Sequence, residues 1–406
     1  GSRYSPDTKR LREFANRNRI PHRFIDLEVE EEAEHILRDL QVAPSETPLA
    51  LLGEGHLLRN PSNVDLAEHL GLKADPGELE VAELVIVGAG PAGLAAAVYA
   101  ASEGLSTVVL DSVAAGGQAS TSPRIENYLG FPSGISGSEL AERAVVQAEK
   151  FGARISVPSA VTRLETEEAG YTLRLEDGST VQGRTVLIST GCRYRKLDLP
   201  NLQEFEGVSV FYAATQMEAA QCSAGPLIVV GGGNSAGQAA LYLARSAERV
   251  YLLVHHADLG RDMSRYLVEQ ITQHPGVEVV TEAEICELAG NRGMLESIEV
   301  KQLATGESRR IEGSSLFVFI GTEPLVEWLD GQVATDSEGY VLTGADARAA
   351  GAERFEELGR DPLFLETTLP GVFAAGDVRS GSVKRVASAV GEGAMSVRLI
   401  FQHLES

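Results

Sequence analysis

Twice in this chain a short apolar run feeds a glycine-spaced turn and then a helix of small residues. The first instance is ELVIVGAGPAGLAAAVYAASEGLSTVVLD and the second is PLIVVGGGNSAGQAALYLARSAERVYLLVHH. In the first, the run Leu84 to Val87 leads into Gly88, Gly90 and Gly93, and a second run ends in Asp111. The three glycines have separate roles. Gly88 permits the tight turn, Gly90 lets a pyrophosphate approach the backbone, and Gly93 lets helix pack on strand. The helix start then faces the phosphates, and Asp111 can bond a ribose hydroxyl. A strand before, a helix after and an acid at the right distance separate this pattern from a glycine-rich structural turn. The second instance has Gly231, Gly233 and Ala236 at G-x-G-x-x-A spacing, with Asn234 and Ser235 inside it. Two such devices imply two dinucleotides, or one site that has decayed.

Length and charge narrow the class further. A chain of 406 residues accommodates two to three domains. The net charge of −23 argues against nucleic acid or an anionic membrane as partner. No apolar run approaches the roughly 20 residues of a membrane span. The polar N-terminus lacks the apolar stretch of a signal peptide, so a cytoplasmic location is expected. The cysteines are Cys192, Cys222 and Cys286. None stands in C-x-x-C spacing, so neither a zinc site nor any other metal site is expected, and no local dithiol.

Ahead of the first glycine loop lies a block running to about Gly77. DTKRLREFANRNRI has helical spacing at Leu11, Phe14 and Ala15, and HRFIDLE reads as a short strand. EEEAEHILRDLQV reads as a helix with Ala33, Ile36, Leu37 and Leu40 on one face. TPLALLGEGHLLRNPS reads as a hairpin turning at Gly53 and Gly55. NVDLAEHLGL closes the block as a helix with Asn63 at its N-cap. This order, with Thr47-Pro48 before a strand, resembles a thioredoxin or glutaredoxin fold, redox-inactive here, whose first strand is expected to be missing or truncated. That resemblance puts a C-P-x-C site at the start of the first helix. The chain has Ser5-Pro6-Asp7-Thr8 there, with the proline and neither cysteine. KADPGELEVA follows as a linker.

The remainder, from about residue 81, resembles the low-molecular-weight thioredoxin reductases. GAGPAG, AGGQ (115–118), IENYLGFP (125–132), ISTG (188–191), GGGNSA and GVFAAGDVR occur in that family's order. The expected fold class is therefore α/β. It comprises two Rossmann-like three-layer dinucleotide-binding domains preceded by a small thioredoxin-like domain over 1–77. The resemblance implies an FAD domain over 78–196 and 325–406, an inserted NAD(P)H domain over 197–324, hinges near 195–200 and 322–326, and a homodimer. It also implies the FAD contacts. Gly88, Gly90 and Gly93 hold the pyrophosphate and Asp111 the adenosine ribose. Gly117, Gln118 and Asn127 lie near the ribityl chain and ring, and Thr190 is a further cofactor contact. Gly376 and Asp377 bind the ribityl hydroxyls. Lys384, Arg385 and Val386 lie at the pyrimidine end, where a cation and a helix start would stabilise reduced flavin.

The chain departs from this family at two places. NADPH-specific members carry HRR after the second strand of the nucleotide fold. Here the stretch is His255, His256, Ala257, with Arg261 further on. Arginine forks a phosphate and histidine carries only part of a charge near neutrality. The expectation is NADPH held through His255 and Arg261, with NADH as the alternative. The second departure is FYAATQMEAAQC (211–222): the family has C-A-T-C where this chain has Ala213, Ala214, Thr215 and Gln216. Thiol–disulfide exchange needs an attacking thiolate and a resolving thiol, and neither is present.

The expected function is an FAD-dependent NAD(P)H oxidoreductase. Hydride passes from NAD(P)H to FAD and then to a non-dithiol acceptor: a quinone, an iron–sulfur protein, oxygen or a small organic substrate. Two alternatives stand beside it. One is a non-catalytic flavoprotein that senses or docks. The other is a disulfide reductase acting through the single Cys222, although a lone cysteine beside an apolar strand is more often a small core residue.

Overall fold

The computed structural model describes residues 1–30, 35, 37–40, 42–43, 46–71, 81–122, 125, 127–167, 170–212, 214, 225–351 and 353–405. The chain divides into two compact units. One holds Gly1, Arg10–Arg193 and Glu323–Ser406, and the other holds Ser2–Lys9 and Tyr194–Thr322.

Helix α1 (Pro6–Arg17) opens the chain, so the Ser-Pro-Asp-Thr stretch does start a helix. β1 (Leu49–Leu51) and β2 (Leu57–Arg59) pair antiparallel about a turn at Gly53 to Gly55, as the glycines there predict. The short helix α2 (Asn63–His69) follows. Leu11 and Phe14 of α1 bury against Leu66 and Ala67 of α2, with Val113 of the neighbouring nucleotide fold in the same cluster.

Two expectations here are corrected. HRFIDLE is not a strand: residues 21–26 take no regular structure and 27–29 turn. The cause is Asp26, which is buried and bonds locally. Its carboxylate accepts from Glu28 N at 3.1 Å, and its own N–H donates to Glu30 Oε1 at 3.1 Å. Such side-chain to backbone bonds compete with a ladder. The N-cap of α2 is Ser62, not Asn63. The Ser62 hydroxyl accepts from Asp65 N at 3.0 Å, and the Asp65 carboxylate accepts from Ser62 N at 2.8 Å. Asn63 instead accepts from Arg10 Nη1 at 3.0 Å. Of the helix expected at EEEAEHILRDLQV, residues 35 and 37–39 are helical, while Ala33 and Ile36 lie outside the described residues.

The first nucleotide fold is a sheet of seven strands among the described residues. β3 (Ala82–Val87) lies at its centre, with β4 (Thr107–Leu110) and β5 (Arg154–Ser156) parallel on one side. β6 (Val161–Glu167), β7 (Gly170–Leu175) and β8 (Thr180–Ile188) complete the other side. The second half of β8 also pairs with a strand near the C-terminus, Val372–Ala374, with Phe373 opposite Leu187. The sheet is covered on both faces. Val85 and Val87 face one core, and Leu84 and Ile86 face the other. That accounts for the near-continuous apolar runs in the sequence. Helices α3 (Pro91–Ser102), α4 (Gly137–Lys150) and the C-terminal helix Val386–Leu404 form one layer. α3 and the C-terminal helix approach closely because both use small residues: a Cβ on Gly393 would fall 2.0 Å from Ala92 O.

The second unit repeats the plan. β9 (Val210–Phe211), β10 (Leu227–Val230), β11 (Val250–Leu253) and β12 (Val277–Val280) join one later strand in a parallel sheet of five. β13 (Ala283–Asn291), β14 (Met294–Gln302) and β15 (Ser308–Glu312) form an antiparallel sheet on one face. The later strand is β16 (Ser315–Val318), inserted between β9 and β10. Helices α5 (Asn234–Leu243) and α6 (Arg265–Gln273) cover the other face. Each unit is thus a three-layer α/β nucleotide fold, as the paired glycine devices require. Among the described residues no helix is long and apolar enough to cross a membrane.

Candidate functional site

The first site gathers at the carboxyl ends of β3, β8 and Val372–Ala374, where α/β folds bind ligands. Gly88 has φ +106°, and a Cβ there would fall 2.3 Å from Ser189 O. A Cβ on Gly93 would fall 1.9 Å from Gly88 O. The Ser189 hydroxyl donates to that same carbonyl at 2.8 Å and locks the turn. Gly90 differs: its nearest neighbour for a Cβ is Gly117 Cα at 3.9 Å, so the backbone there is open to an incoming group. Gly90 is also the N-cap of α3, with Pro91 following, so free N–H groups face the opening. Gly117, at φ +55°, closes on Gly90 from the other side, since its Cβ would lie 2.9 Å from Gly90 Cα. The opening offers the room and the backbone donors that a pyrophosphate needs, so the residues fit FAD.

Asp111 braces this loop. One carboxylate oxygen accepts from Ala89 N at 2.8 Å, inside the glycine turn. The other accepts from Val113 N at 3.0 Å and Ala114 N at 3.1 Å. A carboxylate has about four acceptor positions, so capacity remains for one ribose hydroxyl. Gln118 is spoken for on its amide side, donating to the Cys192 carbonyl. The Thr190 hydroxyl donates to Leu325 O at 2.7 Å. Asn127 is exposed, on the loop after the Ile125–Ile135 bridge.

Asp377 follows Gly376, which turns at φ +78° against Ala92 of α3. Burial pushes the Asp377 carboxyl above its ordinary range, with Lys384 pulling it down and Glu392 adding to the rise. Glu392 is a residue the sequence did not point to. It accepts from Gly376 N at 2.8 Å and is forked by Arg379 at 2.6 and 3.2 Å. The turn that presents Asp377 is therefore held by a half-buried ion pair. Arg385 caps the C-terminal helix, which begins at Val386 as expected. Lys384 is not free to reach outward: its ammonium sits 4.1 Å from the centroid of the Tyr340 ring. Cys192 is buried and stands beside Asp377.

The second site is built from Gly231, Gly233 and Ala236. Gly231 has φ +143°, and its Cβ would meet Phe319 O at 2.2 Å. Gly233 has nothing within 4 Å of a Cβ and is open. Ala236 is fully buried, where its methyl fits without a third glycine. Asn234 accepts from Ser264 N at 2.7 Å, and Ser235 lies exposed in the first turn of α5. Beyond β11, the His255 and His256 rings meet edge to face at 5.3 Å. Arg261 Nη1 lies 3.0 Å from His256 Nδ1. Arginine can only donate, so this contact is a hydrogen bond in the tautomer whose Nδ1 accepts. Asp262 stands 3.9 Å from Arg261 Nε and 4.0 Å from His256 Nε2. The sequence pattern gave no sign of this counter-charge.

In the FYAATQMEAAQC segment and just beyond it, residues 213 and 215–224 lie outside the described residues, and Cys222 is among them. Among the described cysteines, Cys192 is buried and Cys286 exposed, and neither is in a disulfide. No group of three or more His, Cys, Asp or Glu suited to a metal occurs among the described residues.

Comparison with known proteins gives the same frame. The model of the family described as pyridine nucleotide-disulphide oxidoreductase matches residues 82–393. NADPH-dependent thioredoxin reductase 3 of Arabidopsis thaliana is 32% identical over 371 residues, covering 87% of this chain and 66% of that protein, just under two thirds of its length. Thioredoxin reductase of Bacillus subtilis is 30% identical over 328 residues, covering 81% of this chain and 96% of that one. Among solved structures, Lactococcus lactis thioredoxin reductase superposes with a TM-score of 0.69 at 27% identity, covering 80% of this chain and 99% of that chain. With both glycine cradles in place and the family model spanning most of the chain, this protein belongs to the pyridine nucleotide-disulphide oxidoreductases, within the thioredoxin-reductase-like group of low molecular weight, and is an oxidoreductase using FAD and NAD(P)H.

Proposed function

We propose that this protein oxidises NADPH and delivers the electrons to an acceptor that is not a protein dithiol. Bound FAD supplies the chemistry of taking hydride from the nicotinamide and passing electrons on. The observation that carries the reading is the absence of both sulfurs at 213 and 216 in a chain that keeps the family's flavin-side motifs and both glycine loops. Without an attacking and a resolving thiol, the relay to a disulfide has no first step. The candidate acceptors are a quinone, an iron–sulfur protein, oxygen or a small organic molecule.

This chain's own groups are assigned as follows. Gly88, Gly90, Gly93 and Gly117 hold the FAD pyrophosphate, and Asp111 holds the adenosine ribose. Asp377, on the turn held by Glu392 and Arg379, orients the ribityl chain. Gly231 and Gly233 hold the pyrophosphate of the nicotinamide nucleotide, and Arg261 the 2′-phosphate. Domains over 1–77, 78–196 with 325–406, and 197–324, a homodimer and a cytoplasmic location complete the reading.

A second reading is a non-catalytic flavoprotein for docking or sensing. Its support is Ser5-Pro6-Asp7-Thr8, where α1 opens without the cysteines of a thioredoxin-like site. Anaerobic rapid mixing with NADPH and with NADH, followed at the oxidised flavin band, separates the two. Rapid bleaching followed by turnover with a quinone, a ferredoxin or oxygen supports the enzyme. FAD that stays oxidised with both nucleotides moves the assignment to the sensor.

A further inference from the structure

The first glycine cradle has a neighbour that comes from neither nucleotide fold. Arg17 ends α1, and its Nη2 donates to Gly117 O at 3.4 Å. Gly117 is the residue that closes on Gly90, so the guanidinium stands next to the opening where α3 presents its free N–H groups. The side chain is only 20% exposed. Its Nε is buried and, among the described residues, has no hydrogen-bond partner. A buried N–H of a cation left without an acceptor is costly, and such groups in folded proteins ordinarily have a partner. Glu13 Oε1 lies 3.7 Å from Nη1, but Glu13 is 66% exposed and is a weak counter-charge.

The placement of Arg17 does not depend on its own charge. The next residue, Asn18, donates to Val113 O at 2.9 Å and to Phe14 O at 2.9 Å. Phe14 and Leu11, one and two turns before Arg17 on α1, are buried in the cluster that includes Val113. Val113 in turn sits on the loop that Asp111 ties to Ala89 of the glycine turn. A cation is thus fixed to the cradle by packing and neutral hydrogen bonds, with a donor left over.

We propose that Arg17 is a ligand of the FAD pyrophosphate, so that the segment ahead of the nucleotide folds forms part of the cofactor site. This rests on FAD occupying the first cradle. Arginine suits the role, since its fork matches phosphate oxygens and its charge persists at any working pH. The α3 N-terminus would act from one side of the pyrophosphate and Arg17 from the other.

The test uses the full chain stripped of FAD, with the variants Arg17→Met and Arg17→Lys. FAD binding is followed by flavin fluorescence. ADP, which carries the pyrophosphate and no flavin, is measured by calorimetry. The expected result is a rise in the dissociation constant of roughly 10–100-fold for Arg17→Met, similar for FAD and ADP. Arg17→Lys, which keeps charge and stem and preserves the fold, is expected to lose roughly 3–10-fold. Unchanged ADP affinity in both variants would overturn the proposal, whatever happens to FAD, because the contact would then not be to the pyrophosphate. If wild-type protein bound neither FAD nor ADP, the cofactor assignment itself would fall, an outcome distinct from a difference between variants.

Discussion

The thiol of Cys192 lies 4.0 Å from Oδ2 of Asp377, and the carbonyl of the same cysteine accepts the side-chain amide of Gln118. One residue after the β8 turn thus links the two stretches assigned to the flavin side of the site. The carboxylate it faces is half-buried and held above its ordinary value of 3.8. A raised carboxyl takes up protons more readily folded than unfolded, so ionising it costs stability as pH rises through the folded value. Asp377→Asn is therefore expected to raise the melting temperature of FAD-free protein at pH 7 by about 1–3 °C. The same change is expected to weaken FAD binding about 10-fold, the loss of one charge-assisted bond. A calorimetric scan with a flavin titration on one preparation checks both signs.

Gly90 and Gly93 separate cofactor binding from folding. Gly93→Ala drives a methyl to within 1.9 Å of Gly88 O and is expected to cost more than about 3 kcal/mol, enough to prevent accumulation of folded protein. Gly90→Ala meets nothing closer than 3.9 Å and leaves the fold intact. Its methyl occupies the pyrophosphate opening, so the protein should purify folded and colourless. Circular dichroism beside the flavin spectrum distinguishes the two.

The Arg261–His256–Asp262 group predicts a graded nucleotide preference. Arg261→Ala should raise KM for NADPH about 10-fold and leave NADH nearly unchanged. Asp262→Asn removes a carboxylate 3.9 Å from Arg261 and should lower KM for NADPH by about twofold. Equal effects on both nucleotides would move the 2′-phosphate away from Arg261.

Just before the strand Val372–Ala374, Gly371 N donates to Glu366, which is fully buried, forked by Arg360 at 2.6 and 2.9 Å, with His403 Nδ1 3.6 Å from its carboxylate. Burial holds His403 below its ordinary 6.5, with Glu366 opposing and Arg360 and Arg184 reinforcing the drop. The unfolded chain therefore protonates this histidine first. Its contribution to stability is present above about pH 6.5 and is lost as pH falls through the lower folded value. Urea titrations at pH 7.5 and 5.5 should show a smaller difference for His403→Gln than for wild type. Glu366→Ala should cost about 3–5 kcal/mol at both, by stranding Arg360.

What the sequence disclosed followed periodicity and glycine. Leu84 to Val87 read as a buried strand because both faces are covered, and the spacing of Gly88, Gly90 and Gly93 told the two crowded positions from the open one. Local bonds defeated that reasoning at Asp26, whose side chain turns the backbone that HRFIDLE would extend. At α2 the capping pair is Ser62 with Asp65, one residue earlier than the apolar pattern suggested. The supports of the site were hidden for another reason. Glu392 reaches Gly376, Cys192 reaches Asp377 and Arg17 reaches Gly117 only after the chain has folded back on itself. No spacing rule encodes such contacts.

The seventh strand of the first sheet, Val372–Ala374, and the helix that covers α3 come from the last part of the chain, while the five-stranded sheet lies wholly within Tyr194–Thr322. A ribosome making this protein from its N-terminus therefore releases every strand of the inserted unit before the earlier one can close. Until Gly393 emerges, the face of α3 that packs on the C-terminal helix has no cover, and an exposed apolar face of that kind is what chaperones bind.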